Sequence, residues 1–298
     1  MFRTNNELMM KARDGGYAVG AFNTNNLEIT KAIFRAASEE QSPIILAVSP
    51  SAAKYAGMEN LVAMARIAAE ETGVPVSVHL DHGTEFEHLV HAVRAGFSSI
   101  MFDGSKHPYE ENVRLTQEAV KLGHAAGISV EGELGRLVGT EDAISVSERE
   151  ASMTNPDQAL DYVERTGIDA LAVSIGNAHG WYKGKPQLDF KRLEAIRNKI
   201  GDKALLVLHG ASGIPDEDIR TAGSLGVTKI NIDTEIRDAF KRGITQFIQE
   251  NPDVIDPRKL LKPAMDEMVK IVGGKIKLFG SAGKATETMA YMAGGVAE

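Results

Sequence analysis

The chain has 298 residues, 43% of them hydrophobic and 25% charged, with a formal net charge of −8 and no cysteine. The missing cysteine excludes disulfides, thiolate metal ligands and a thiol nucleophile, and a diffuse acidic balance without a basic run argues against nucleic acid or an anionic membrane as main partner. No apolar stretch is long enough to cross a bilayer, and the opening MFRTNNELMMKARDGG lacks the apolar core of a secretory signal, so a cytoplasmic protein is expected.

Short apolar runs alternate with amphipathic stretches along the chain. Strands are expected at YAVGAFN (17–23), PIILAVS (43–49), PVSVHLDH (75–82) and SSIMFDG (98–104). LEITKAIFRAASEE, MENLVAMARIAAEE and TEFEHLVHAVRA read as the helices between them. PYEENVRLTQEAVKLGHAA leads to a fifth strand, ISVEGEL (128–134). From Gly135 to about Met153 the chain is polar and acidic, too long for a simple connector, and is read as a mobile lid. Asn155-Pro156 then opens a helix, a capping residue before proline. DALAVSIG (169–176), ALLVLHG (204–210) and VTKINID (227–233) complete eight strands. TEIRDAFKRGITQFIQE and DPRKLLKPAMDEMVKIVGG supply the eighth helix and a C-terminal helical extension.

The runs are β-branched and apolar throughout, as in strands buried on both faces. Eight βα units with no shift of composition imply one domain over 1–298, an α/β (β/α)8 TIM barrel. An open doubly wound sheet, the main rival, normally opens on a glycine-rich turn, and GxGxxG is absent here.

In such a barrel the C-terminal strand ends carry the site. They hold Asn23, Ser49, Asp81, His82, Asp103, Glu131, Glu133, His179, His209, Asn231 and Asp233. His82, His179 and His209 stand at the ends of three different strands. Three imidazoles leave one coordination position open, the arrangement of a catalytic metal. Histidine ligands favour zinc, with cobalt, iron or manganese open. His88, His91, His107 and His124 fall in helices or loops and read as solvated; His79 lies mid-strand and either packs in the core or backs a ligand.

Asp81 precedes His82 and can exchange protons with a bound substrate, or cap the helix that follows. Because strand neighbours point to opposite faces, both reach one site only if the strand ends there. Asp103 and Glu133 can orient the histidines or bind the metal in another state. Glu141 is a mobile acid/base candidate. Gly210-Ala211-Ser212-Gly213 and Asn231-Ile232-Asp233-Thr234 follow strands seven and eight, the common phosphate site of these barrels. The residues thus point to a metal-dependent enzyme acting on a small phosphorylated carbonyl compound.

VHLDH, FDGS, VEGELG…GTED, IGNAHGWYKGKPQLDF, VLHGASG, KINIDTE and FGSAGKA stand in one order from about Asn23 to Lys284. Together they resemble the class II (metal-dependent) fructose-bisphosphate and tagatose-bisphosphate aldolases. The resemblance implies one catalytic Zn2+ on His82, His179 and His209, with Asp81 moving the proton of the hydroxyl at the bond that breaks. It implies that Glu141 transfers the proton at the nucleophilic carbon and that Asn231 steadies the enediolate. Gly180, Gly210, Ser212, Asp233 and Thr234 would hold the dihydroxyacetone phosphate half, near a Na+ or K+ ion. Asn23 and Ser49 match positions lining the site, and Asp103 and Glu133 match positions near alternative metal sites. Arg258 is a candidate for the distal phosphate across a subunit boundary, or an exposed helix-start arginine. The family implies a homodimer or homotetramer, and fructose 1,6-bisphosphate is placed ahead of its tagatose epimer.

Two other readings stand beside this one. A Schiff-base aldolase needs a desolvated lysine nucleophile, and Lys229 is the only lysine in an expected strand. A metal-binding barrel without catalysis would have no use for Asp81 or the phosphate segments.

Overall fold

The computed structural model describes residues 2–141, 144–146, 152–182 and 184–294. Helix α1 (Asn5–Gly15) precedes β1 (Val19–Asn23). There follow α2 (Leu27–Glu39), β2 (Ile44–Val48), α3 (Pro50–Ala56), α4 (Met58–Thr72), β3 (Val76–Gly83) and α5 (Phe86–Ala95). Next come β4 (Ser99–Phe102), α6 (Tyr109–Ala125), β5 (Ser129–Leu134) and two short strands, β6 (Val138–Glu141) and β7 (Ile144–Val146). The chain continues with α7 (Pro156–Thr166), β8 (Ala170–Val173), β9 (Ala178–His179), α8 (Phe190–Ile200) and β10 (Leu205–Leu208). It ends with α9 (Asp216–Ser224), β11 (Val227–Ile232), α10 (Thr234–Glu250), α11 (Pro257–Phe279) and α12 (Ala285–Gly294).

Eight strands close on themselves in the order β1-β11-β10-β8-β5-β4-β3-β2. All neighbouring pairs in the ring are parallel. The expected (β/α)8 barrel is therefore the fold, and the open sheet is excluded. IILAV, SIMF, ALAV and LLVL are buried at every position, which is why they read as unbroken apolar runs. The outer faces of the strands and the inner faces of the helices form one continuous apolar shell.

The inside of the barrel is a second cluster, with Val19, Ala21, Ile45, Met101, Ala170, Ala172, Leu205 and Val207. Leu8, Met9 and Ala12 of α1 belong to the same cluster, so α1 closes the end where the strands begin. Thr4 and Glu7 start this helix with a reciprocal capping box. At the other terminus α11 packs against both α10 and α2, filling the gap between the last and first helices. Gly243 of α10 permits that approach, because a side chain there would strike the Ala264 backbone.

Two expectations need correction. The sixth barrel strand stops at Val173 rather than 176, and His179 lies on the separate strand β9. The chain turns early because Gly176 takes a left-handed φ of 101° and Asn177 satisfies the freed backbone, accepting from Ile175 N and donating to Val173 O. The lid segment is not without structure. Its β6 and β7 pair as an antiparallel hairpin, and β6 also pairs in parallel with β9, Gly139 opposite His179. Residues 142–143 and 147–151 of that segment, and the Glu141 side chain, lie outside what is described.

Candidate metal and proton-transfer site

Asp81 and His82 share the mouth of the barrel because β3 does not end as a regular strand. Its register against β4 shifts between Leu80 and Gly83, and His82 adopts φ 53°. A left-handed φ outside glycine is uncommon and holds strain of about 1–3 kcal/mol, which the surroundings must offset. The bulge, not a strand end, turns two consecutive side chains into one site.

Asp81 is fully buried. One carboxylate oxygen accepts from Asn23 Nδ2 at 2.8 Å and the other from Asn231 Nδ2 at 3.1 Å. These two amides fix the plane of the carboxylate. They come from β1 and β11 across the barrel mouth.

The candidate ligand atoms of His82, His179 and His209 lie within 4.8 Å of one another. The imidazoles meet edge to face, with ring centroids 4.6 to 6.2 Å apart. His82 Nδ1 faces Asp103 Oδ2 at 3.0 Å, and His209 Nε2 faces Glu131 Oε1 at 2.8 Å. A carboxylate only accepts, so those two nitrogens carry the protons. In neutral rings the remaining nitrogens, His82 Nε2 and His209 Nδ1, carry the lone pairs, and they face each other at 2.9 Å. Two facing lone pairs repel unless a proton or a metal ion lies between them. Two metal–nitrogen bonds of 2.0–2.1 Å at a tetrahedral angle span about 3.3 Å. The donor set therefore fits a divalent ion held by imidazole. His82, Asp103 and Glu133 form a second group with ligand spacing, with Glu133 Oε2 3.7 Å from His82 Nδ1.

The carboxylates behind the histidines are ionised. Burial would raise the Asp103 pKa, but the His82 imidazole and the Ser105 N–H hold it well below the usual range. Burial acts likewise on Glu131 and is outweighed by the Lys229 ammonium, with His209 and His79 assisting. Burial and the Lys229 charge push His79 down to about 3, so it is neutral. Lys229 is fully buried and bonded to both Glu131 oxygens, at 3.0 and 2.7 Å. A lysine so placed is an ion-pair partner, not a free amine waiting for a carbonyl, and the Schiff-base reading loses its nucleophile.

Gly210 and Gly180 take left-handed φ values of 63° and 83°. A Cβ on Gly210 would run into the Ala178 carbonyl. Ser212 is buried beside the start of α10, where its Oγ accepts from Glu235 N at 3.4 Å. Asp233 and Thr234 are the N-cap and first residue of that helix, and Asp233 accepts from Arg237. Both phosphate segments thus meet at one helix N-terminus. Ser49 caps α3 and lines a cavity of about 920 Å³ that reaches His82 and is bordered by Lys54, His88 and Arg94. Arg258 stands elsewhere, exposed at the start of α11 and paired with Asp256 at 2.8 Å. His124 is exposed, as expected, and is also bonded to Asp169 at 3.0 Å.

Sequence reading passed over the groups that hold His179. Asn177 Nδ2 donates to the His209 carbonyl at 2.9 Å. The Tyr182 hydroxyl bridges Ala178 N and Gly210 O, both at 2.9 Å. A Cβ on Gly139 would collide with the His179 carbonyl. An Asn and a Tyr flanking a ligand histidine were the available signal; their partners are set only by the tertiary turn.

A closed barrel with three histidines and a buried aspartate at its C-terminal mouth is the architecture of a TIM-barrel enzyme with a candidate metal site. Residues 3–284 match the family model "Fructose-bisphosphate aldolase class-II". The chain is 46% identical to the fructose-bisphosphate aldolase of Thermus caldophilus, covering 96% of this chain and 100% of that one. It is also 46% identical to the D-tagatose-1,6-bisphosphate aldolase subunit GatY of Klebsiella oxytoca, over 93% of this chain and 97% of that one. The crystal structure of the YdjI aldolase from Escherichia coli K12 superposes with a TM-score of 0.82 at 38% identity, covering 96% of this chain and 100% of that one. The protein belongs to the class II fructose-bisphosphate aldolase family, a family of carbon–carbon lyases.

Proposed function

We propose that the protein reversibly cleaves fructose 1,6-bisphosphate to dihydroxyacetone phosphate and glyceraldehyde 3-phosphate. The observation that carries this reading is the convergence of three imidazoles beside Asp81, whose carboxylate is oriented by Asn23 and Asn231. His82, His179 and His209 would hold Zn2+, which when bound polarises a ketone carbonyl as a Lewis acid.

The chain's own groups do the rest. Asp81 takes the proton of the C4 hydroxyl as the C3–C4 bond breaks, so that C4 becomes the aldehyde carbonyl and the bonding electron pair stays with the ketone half. Glu141 delivers a proton to C3, and both transfers reverse in condensation. Asn231 donates to the oxygen on which charge develops. Gly180, Gly210, Ser212, Asp233 and Thr234 hold the phosphate of the ketone half with a Na+ or K+ ion, at the α10 N-terminus. Asn23 and Ser49 line the site, Ser49 on the cavity that reaches His82. Arg258 of a neighbouring copy meets the distal phosphate in a homodimer or homotetramer. Asp103 and Glu133 orient His82 or receive the metal in an alternative position, and the second ligand group around His82 supports either role. The chain works as one barrel domain, in the cytoplasm and in glycolysis, without nucleic acid or membrane; no helix among the described residues is long and apolar enough to cross one.

Tagatose 1,6-bisphosphate is the second reading, favoured by the Klebsiella relative. The epimers differ next to the cleaved bond, where small shifts of lining residues decide the fit. Cleavage is measured by coupling triose phosphate to NADH oxidation, with both epimers side by side. Turnover lost to a chelator and restored by zinc is expected; no turnover of either epimer in zinc buffer sinks the proposal, and a strong tagatose preference reverses the ranking.

A further inference from the structure

One layer deeper than the three histidines lies a buried ion pair that no step above uses. Lys229 on β11 and Glu131 on β5 are 0% and 1% exposed. They meet across the barrel interior at 2.7 Å. Burying such a pair is weakly stabilising at best, and well-packed apolar residues often serve as well. Its place beside His209 gives it a different use.

The directions of the bonds follow from one fact: an ammonium group has three donors and no acceptor. Lys229 Nζ donates to both Glu131 oxygens and, at 3.3 Å, to His79 Nε2. His79 Nε2 must then be bare, so its proton is on Nδ1 and donates to Ser99 Oγ at 2.9 Å. Ser99 passes its own proton to the Ser129 carbonyl at 3.3 Å. On the other side Glu131, as an acceptor, requires the His209 proton on Nε2. With His79 and His209 neutral, every member of the chain has one assignment that satisfies its neighbours. That assignment leaves His209 Nδ1 bare and turned toward His82 Nε2.

We propose that Glu131 and Lys229 are a positioning pair that selects the His209 nitrogen presented to the metal. Glu131 holds the proton on the far side of the ring, and Lys229 holds Glu131 in its accepting state. Without the acceptor the proton is free to move to Nδ1, where it blocks the ligand position. The inference rests on the metal site proposed above, yet part of it is read without metal or substrate, so its failure is distinguishable from failure of the aldolase reading.

The first measurement is nitrogen NMR of the metal-free protein labelled at histidine. The expected result is His209 protonated on Nε2; a proton on Nδ1 overturns the proposal and needs no variant to show it. The second compares Glu131→Gln/Lys229→Met with Glu131→Leu/Lys229→Met. Both remove the ion pair together, so neither leaves a lone buried charge, but only the glutamine keeps an acceptor for His209. The leucine pair is expected to bind zinc about 10–100-fold more weakly, by competition with a chromogenic chelator. Its cobalt-loaded form should show a shifted visible spectrum. Equal zinc affinities in the two variants refute the positioning role.

Discussion

The two ends of this barrel are built from the same eight strands and have opposite chemistry. Where the strands begin, Leu8, Met9 and Ala12 close onto Ala21, Ala170, Ala172 and Val207 in one apolar cluster. Where they end, Asp81, His82, Asp103, Glu133 and His209 are equally buried. Buried apolar groups stabilise by leaving water. Buried polar ones are tolerable only when each finds a partner. The closed end therefore holds the barrel together, while the open end gives up cohesion for a fixed set of donors and acceptors. In a fold of this kind, the two ends separate stability from chemistry.

That separation is sharpest for Asp81. Replacing it with alanine removes the proposed proton carrier and should lower kcat by about 10²–10⁴-fold. Zinc affinity should hold, because Asp81 is not one of the three imidazole donors. Steady-state kinetics and chelator competition read the two effects separately. A variant with unchanged kcat would show that the carboxylate does not move the proton.

The opposite result is expected for Leu8→Ala, at the closed end. The side chain is fully buried, and truncating such a leucine removes about 2–5 kcal/mol of stability. Denaturant unfolding should show the loss, while kcat and KM per folded molecule stay at their original values. Altered kinetics with unaltered stability would mean that the two ends are not independent.

How far the sequence revealed this division follows the same physics. The open end was readable because its polar residues interrupt or terminate apolar runs. His82, His209, Asp103 and Glu133 stand out against VSVHL, LLVL, SIMF and SVEGEL. The strands were readable because burial on both faces leaves them unbroken. Helix α1 was not, because NNELMMKARDG has only eleven residues and a short apolar stretch, and a helix of that length owes its stability to packing. The Thr4–Glu7 spacing was its one local sign. Nor was the left-handed turn at His82 readable, since a non-glycine residue is held there only by its surroundings. Lys229 and Glu131 were visible as charges in strands, but their pairing depends on a register that closes only in three dimensions.

Acid should weaken the open end first. In the unfolded chain an imidazole takes its proton near pH 6.5, whereas folded His79 takes it only at about 3. Between those values the unfolded state binds more protons, so stability falls as pH falls through the window. His209, lowered chiefly by burial, acts in the same direction. For His79 alone the loss between pH 7 and pH 5 is about 2 kcal/mol in the metal-free protein. Urea midpoints across that range measure it, and a midpoint independent of pH would show that His79 is already charged in the folded barrel.

The smallest effect tests whether the closed end is truly part of the barrel. Thr4 Oγ1 accepts from Glu7 N at 3.1 Å, and Glu7 Oε2 accepts from Thr4 N at 2.7 Å. Thr4→Ala removes the first bond and leaves a helix-start donor to water, a loss of about 1 kcal/mol. Because Leu8, Met9 and Ala12 are buried inside the strand cluster, α1 cannot unfold without opening that cluster. The loss should then appear in the whole protein, as a thermal midpoint lower by about 2 °C, with kinetics unchanged. Were hydrogen exchange to quicken in α1 alone while the midpoint stayed put, α1 would be a separately opening plug. The closed end would then be as adaptable as the open one, and the division of labour between them would fail.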